Sequence, residues 1–247
     1  MGSARPGIIV AGYQSWRRLT FIHWRVPVES VQRLLPNPLK VDSFDGSAWI
    51  GLVPFSMERI RPWWSPSVPG ISWFLETNVR TYVRYPDGTT GVWFFSLEAN
   101  SWLAVTIARR IWNLPYYRAV LELSSSPRDM TERINCYGVR RSDAQVGYTL
   151  TTDVPVSRRP AEAVPGSLEH FLVERYTLFA VDHRGTLFSG QVHHDPYQIC
   201  PASVEIEKNS LVSASGCCIE HPETPDHVAW SDGVDVVVSP LVRLSSH

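Results

Sequence analysis

The stretch WFLETNVRTYV, residues 73–83, alternates with a period of two. Trp73, Leu75, Thr77, Val79, Thr81 and Val83 share one side, and Phe74, Glu76, Asn78, Arg80 and Tyr82 share the other. The pattern predicts a strand whose first face is core and whose second face carries a carboxylate, an amide and a guanidinium. That second face suits a solvated sheet surface or, in a sheet that curls on itself, a polar interior; periodicity alone leaves both open. RLTFIHWRV (18–26), SAWIGLVPF (47–55) and GVWFFSLEA (91–99) are strands of the same kind, with Pro86-Asp87-Gly88 a turn before the last. ESVQRLL (29–35) predicts a short helix closed by Pro36, Asn100 or Ser101 caps a helix running to about Trp112, and SLEHFLVER (167–175) predicts a second long helix. TLFAVDHRGTLFSGQVHH reads as strand, turn, strand. Together these predict an α+β fold: a large, mostly antiparallel, curled sheet with a few helices packed on it.

In the helix before Pro115, a period of 3.6 gathers Leu103, Ala104, Ile107, Ala108 and Ile111 on one arc and sets Thr106, Arg109 and Arg110 opposite. The arginines complement the helix dipole at a solvated end, or they line a binding site. No linker-like stretch or internal repeat divides the 247 residues, so residues 1–247 read as a single domain. With 44% hydrophobic and 19% charged residues the chain has the means to bury a sizeable core. A formal charge of -1 argues against a nucleic-acid partner. No apolar run approaches ~18 residues and the N-terminus lacks a secretory pattern, which predicts a cytoplasmic protein without a membrane partner. Cys136, Cys200, Cys217 and Cys218 lack metal-ligand spacing and read as reduced thiols. Dinucleotide, phosphate-loop, serine-hydrolase and zinc-protease signatures are absent, so no cofactor and no metal are expected.

His193-His194-Asp195 invites a metal reading, but adjacent strand residues face opposite ways, which divides the two histidines. His193 falls with Ser189 and Gln191, and His194 with Phe188 and Val192. A hydrogen-bonded structural role leads for them, ahead of a pocket acid-base role and, last, a metal-ligand role. His23 lies six strand residues, about 20 Å, from Arg17, so the two do not line one small site. The Pro-rich loop Arg61-Pro62-Trp63-Trp64-Ser65-Pro66 either packs over a sheet edge or forms a lid.

The run FIHWRVPVESVQRLLPNPLKVDSFDGSAWIGLVPF, followed by FLETNVRTYV, FFSLEANSWLAVTIARRIWNLPYYRA and LFSGQVHHDPYQICPA, resembles the DUF2071 family from about Trp16 to about Glu205. That uncharacterised family sits in the acetoacetate decarboxylase-like superfamily. The resemblance implies an incomplete β-barrel around a central pocket with helices outside, and it brings no established reaction.

The comparison with acetoacetate decarboxylase itself bears on mechanism. That enzyme carries Gly-Arg-Glu at a helix end and then Pro-Lys-Lys. The first lysine forms a Schiff base, and the second lowers its pKa. Laid on this chain, these fall on Ala108-Arg109-Arg110 and Pro115-Tyr116-Tyr117. The enzyme's active-site glutamate falls on Glu76, and an arginine before its first strand falls on Arg17, with Arg18 one slip away. Lysine occurs only at Lys40 and Lys208, in turn-like segments. A phenol cannot form an imine, so Schiff-base decarboxylation is not expected. The resemblance then implies a pocket for a small-molecule ligand. Glu76, Tyr116 and Arg110 are its candidate acid-base groups, and Arg17, Arg109, Tyr117 and His193 its substrate-binding groups. Such a set suits lyase- or isomerase-type chemistry on a small carbonyl or carboxylate compound. It suits equally a non-catalytic binding protein for a small organic acid or apolar metabolite. A homo-oligomer is left open.

Overall fold

Strands dominate because β-branched and aromatic residues recur at spacing two between turn residues, and the element order follows that pattern closely. The computed structural model describes residues 9–69, 71–126, 131–141, 144–155 and 159–244; of residues 104, 107, 108, 110, 111, 125, 126, 131–141, 144 and 145 it describes the backbone alone. The first half runs β1 (Gly12–Val26), α1 (Val28–Gln32), β2 (Lys40–Val41), β3 (Ala48–Pro62), β4 (Phe74–Arg84), β5 (Thr90–Ala99), α2 (Trp102–Ile111) and β6 (Tyr116–Ser126). Then come β7 (Thr131–Arg141), β8 (Ala144–Asp153), β9 (Ala161–Glu162), α3 (Leu168–Val173), β10 (Thr177–Val181) and β11 (Leu187–His193). The chain closes with β12 (Gln198–Pro201), β13 (Ser203–Asn209), α4 (Leu211–Ala214), β14 (His227–Val238) and β15 (Val242–Arg243).

Hydrogen-bonded neighbours run β4–β5–β10–β11–β14–β1–β3 and back to β4, so the sheet curls into a ring. A second arm leaves β5 through β6, β7 and β8 to β13. β5 pairs in parallel with β10 at Val92 and Trp93 and with β6 at Leu97–Ala99; the other strand pairs are antiparallel. A parallel neighbour needs a crossover, and α2 supplies it between β5 and β6.

Two apolar clusters fill the two sides of the ring wall. Phe21, Val53, Phe55, Tyr82, Leu97, Ala99 and Tyr116 belong to the cluster inside the ring. Ile22, Leu52, Val79, Leu121, Tyr148 and Leu150 belong to the one between the ring and the second arm. Each large side chain taken from water contributes roughly 1.5–3 kcal/mol. β4 pairs with β3 without a register break from Ile50↔Thr81 to Met57↔Phe74, so its alternation is strict. Leu75 and Val79 therefore face the arm, while Glu76, Asn78, Arg80 and Tyr82 face the ring interior. The open choice left by periodicity is resolved in favour of an interior face: Glu76 and Asn78 are only 3% and 5% exposed.

Several elements depart from their sequence reading. Trp73 precedes β4 and is exposed instead of joining the core face. α3 is six residues long, capped by Ser167, whose Oγ accepts from the His170 N–H. It stops because Glu174 leaves helical geometry and turns its carboxylate to the Tyr197 N–H, 2.9 Å away, and to the Tyr176 hydroxyl. Phe171, Leu172 and Val173 pack into the inner cluster, so α3 plugs one end of the ring instead of lying outside it. Among the described α2 side chains Val105 is buried and lies off the arc drawn through Leu103; Leu103 is half-buried, and the other side chains of that arc lie outside those described. Trp63 and Trp64 are exposed, so the Pro-rich loop does not tuck them over a sheet edge. Among the described residues no helix is long and apolar enough to cross a membrane.

Candidate active site

β5 lies between β4 and β6, and this spacing brings two distant segments together. Glu76 pairs with Ala99 across β4–β5, and Tyr116 pairs with Leu97 across β5–β6. Ala99 is fully buried and presents only a methyl group, which leaves the phenol room to cross over β5. The Tyr116 hydroxyl donates to Glu76 Oε2 at 2.8 Å. Burial, partly offset by the Tyr116 hydrogen bond and reinforced by the nearby charge of Glu98, raises the Glu76 carboxyl to about 8. Burial first, and Glu76 second, hold the Tyr116 phenol well above its ordinary range. At neutral pH both groups therefore keep their protons. Glu98, completely buried, faces the other side of the wall, where Ser96 Oγ donates to it at 3.1 Å.

Among the described residues Tyr116 is the one donor to Glu76, which makes Tyr116→Phe informative. Because the phenol bond lowers the carboxyl's pKa, its loss is expected to move the titration above about 8. The carbonyl is also left unpaired, at a stability cost of about 1 kcal/mol. Carboxyl carbon shifts followed against pH check this, and a downward or absent shift counts against the bond.

The remaining candidates separate. Arg17 lies outside the ring: its Nη1 donates to the Val234 carbonyl at 2.6 Å, and it is ion-paired to the exposed Asp235. Arg18 adopts a left-handed backbone (φ 55), which breaks the β1–β3 register between Arg17 and Ile22. Its guanidinium reaches Ser56 Oγ at 2.7 Å, on the arm side of β3, where Arg18 lines a small cavity together with Leu75, Glu76 and Leu121. Arg109 is exposed at the end of α2; its Nε donates to the Tyr116 carbonyl at 2.5 Å, tying helix to strand. The Arg110 side chain lies outside the described residues. Tyr117 points away from Tyr116, with the Arg109 guanidinium 5.6 Å from its ring centre.

His193 is half-buried and only 3.5 Å from Ser239 Oγ. Its neighbour His194 turns inward, two residues beyond the buried Val192, among Trp16, Tyr176 and Tyr197. Its Nε2 is buried and unpartnered, and burial depresses its pKa. Among the described residues no three His, Cys, Asp or Glu groups gather closely enough to hold a metal ion.

Sequence reasoning did not nominate the far end of the interior face. There His23 Nε2 and the Tyr82 hydroxyl are 2.7 Å apart, His23 and His227 Nδ1 atoms 3.2 Å apart, and Tyr82 also donates to the Leu172 carbonyl at 2.8 Å. Burial, then His227 and Arg80, depress His23 well below the ordinary histidine range, so it is neutral. The available signal was positional: Arg80 and Tyr82 share the face of Glu76 in the original alternation.

Comparison with known proteins adds a family and a fold. The family model of the uncharacterised conserved proteins DUF2071 matches residues 13–235. An uncharacterised protein of Bacillus subtilis, YqjF, is 33% identical over 232 residues, covering 94% of this chain and 92% of its own. An acetoacetate decarboxylase from Legionella pneumophila superposes with a TM-score of 0.64 at 16% identity, covering 99% of this chain and 92% of that one. The enduracididine biosynthesis enzyme MppR, in complex with pyruvate, superposes with a TM-score of 0.60 at 11% identity, covering 98% and 93%.

Proposed function

This chain belongs to the DUF2071 family, and from that premise we propose that it is an acid-base enzyme, of lyase or isomerase type, acting on a small carbonyl or carboxylate compound inside the ring. One observation carries the reading: a carboxyl buried in the ring interior, held near pKa 8 and hydrogen-bonded by a phenol. A general base works best when its pKa lies near the working pH. In this reading ionised Glu76 takes a proton from the carbon next to a carbonyl and returns it to that carbon or to its neighbour. The Tyr116 hydroxyl, released from the carboxylate, donates to the oxygen on which charge develops. The fold shared with acetoacetate decarboxylase, and with an enzyme captured holding pyruvate, supports a small-molecule site of this kind.

The imine route of the decarboxylase has no support in these residues. Tyr116 and Tyr117 stand at the lysine positions, and Lys40 and Lys208 are exposed. Borohydride reduction in the presence of pyruvate or acetoacetate is expected to leave the mass of the protein unchanged. An adduct mapped to either lysine counts against this.

The acid-base reading is tested by solvent deuterium exchange into pyruvate and 4-oxopentanoate, followed by proton NMR. Exchange catalysed by the protein is expected to rise about tenfold per pH unit and level off near pH 8, where Glu76 becomes ionised. A metabolite that copurifies and is returned unchanged, with no exchange into either ketone, favours a binding protein instead.

A further inference from the structure

Among the described residues two arginines, Arg80 and Arg175, reach into the ring, and one of the two has an acidic partner. Arg175, its side chain 7% exposed, meets Asp42 at 2.7 Å. Arg80 forms no ion pair with any described residue. Its Nη2 donates to the Leu172 carbonyl at 3.1 Å, and its Nε is buried with no partner. The rings of Phe21 and Tyr82 lie 5.6 and 5.7 Å from its guanidinium carbon. Nearby titratable groups do not neutralise it: His23 is held neutral by burial, and burial raises the pKa of Tyr82 and Tyr197. A guanidinium left without a counter-charge in apolar surroundings costs several kcal/mol.

The wall opposite is shaped around this cation. Gly51 pairs with Arg80 across β3–β4 on the interior face. A Cβ there would come within 3.3 Å of the Arg80 side chain and 3.1 Å of the His23 ring. Between Arg80 and Glu76 on the same face lies Asn78, 5% exposed, whose Oδ1 is buried and unpartnered. Arg80 itself, on this interior face, is only half-buried. This face thus presents an unpaired cation and an unpaired amide oxygen in line with a neutral carboxyl, amid Phe21, Val53 and Phe55.

We propose that Arg80 is the carboxylate-recognition residue of the interior site, and that its ligand is an organic acid with an extended apolar body. The inference rests on the pocket reading above and names the substrate class. Planar guanidinium donors match a carboxylate bidentately, and the aromatic neighbours exclude water from the pair. Four strand residues set the backbones of Arg80 and Glu76 about 13 Å apart. The carboxylate is therefore held well away from the atoms that Glu76 serves, unlike in a short keto acid, where the two are adjacent. Asn78 Oδ1 lies between them as an acceptor for a hydroxyl or amine carried along the body.

Calorimetric titration of the full chain with octanoate, acetate and 1-octanol tests this. Octanoate is expected to bind at least tenfold more tightly than either acetate, which lacks the body, or 1-octanol, which lacks the charge. Arg80→Met is expected to reduce octanoate to the level of 1-octanol, and Arg80→Lys to restore part of the difference, each with its melting temperature measured alongside. An arginine that only ties down the Leu172 carbonyl would lower the melting temperature and leave the preference for octanoate over 1-octanol intact. That outcome, or no octanoate binding to the unaltered protein, overturns the proposal. Deuterium exchange into 10-oxoundecanoate, whose ketone is separated from its carboxylate by a span comparable to that between Arg80 and Glu76, reports on Glu76 separately: Arg80-dependent binding without exchange removes the acid-base reading alone, and exchange without Arg80-dependent binding removes this inference alone.

Discussion

Glu76→Gln is expected to lower carbonyl deuterium exchange by about 10²- to 10⁴-fold, the usual contribution of a positioned general base. The same change is expected to make the folded chain relatively more stable as the solution becomes alkaline. The glutamate carboxyl is raised from 4.5 to about 8 by burial. Below about pH 4.5 both folded and unfolded chains hold the proton. Between 4.5 and 8 the unfolded chain gives it up while the folded chain retains it, so stability falls with rising pH, and above 8 the loss is complete. Each unit corresponds to ~1.4 kcal/mol, so the full span is roughly 5 kcal/mol. The amide has no proton to lose and still accepts from Tyr116, so this slope is expected to disappear in the variant. Urea titrations at pH 4.5, 6, 7 and 8.5 on both proteins measure it. Parallel stability curves would mean that Glu76 titrates like an exposed carboxylate, and the site would lose its general base.

Asp42→Ala is expected to cost about 3–5 kcal/mol of stability, a larger loss than for other surface-proximal carboxylates. Asp42 and Arg175 side chains are each 7% exposed and meet at 2.7 Å. Arg84 also reaches Asp42 at 2.7 Å but is half exposed, so its share is below about 1 kcal/mol. Without Asp42 the Arg175 cation stays buried, with the Phe171 carbonyl 2.7 Å from its Nε and the Phe171 and Tyr82 rings against it. Burial already lowers the Arg175 pKa, and the loss of its carboxylate lowers it further. Removing both charges with Asp42→Leu and Arg175→Met is expected to recover most of the loss, because what is costly is the unpaired charge. The consequence reaches the interior through α3, whose C-terminal turn Arg175 holds. Amide exchange at Leu172 and Val173 is expected to accelerate in the single variant. A single variant within 1 kcal/mol of the parent would show that water reaches Arg175 and that α3 is anchored otherwise.

Local pattern and tertiary closure part most clearly on β4. Alternation placed Glu76, Asn78, Arg80 and Tyr82 together with no structure in view, because side-chain direction in a strand is a property of the local backbone. Setting Tyr116 and Tyr117 against the decarboxylase's lysine pair came from the resemblance and belongs to the proposal, whereas the scarcity of lysine, at Lys40 and Lys208 only, is read from the sequence itself. The curled α+β architecture followed from the resemblance, and its neighbours share it.

Which side of β4 is inside was a different matter. It depends on β5 returning to pair with both β4 and β10, a closure between segments some eighty residues apart that no local period encodes. The arginines show the same limit. Arg17 was the natural candidate, yet the left-handed backbone at Arg18 breaks the register and leaves Arg17 outside with Asp235. The contact of Tyr116 with Glu76 needs the small Ala99 between them, and the isolation of Arg80 needs every neighbour's partner to be known. Local periodicity determined which residues travel together along an element. Whether a charge on such a face meets water, a partner or neither was decided only by long-range closure of the sheet, since burial and pairing are properties of the space around a side chain.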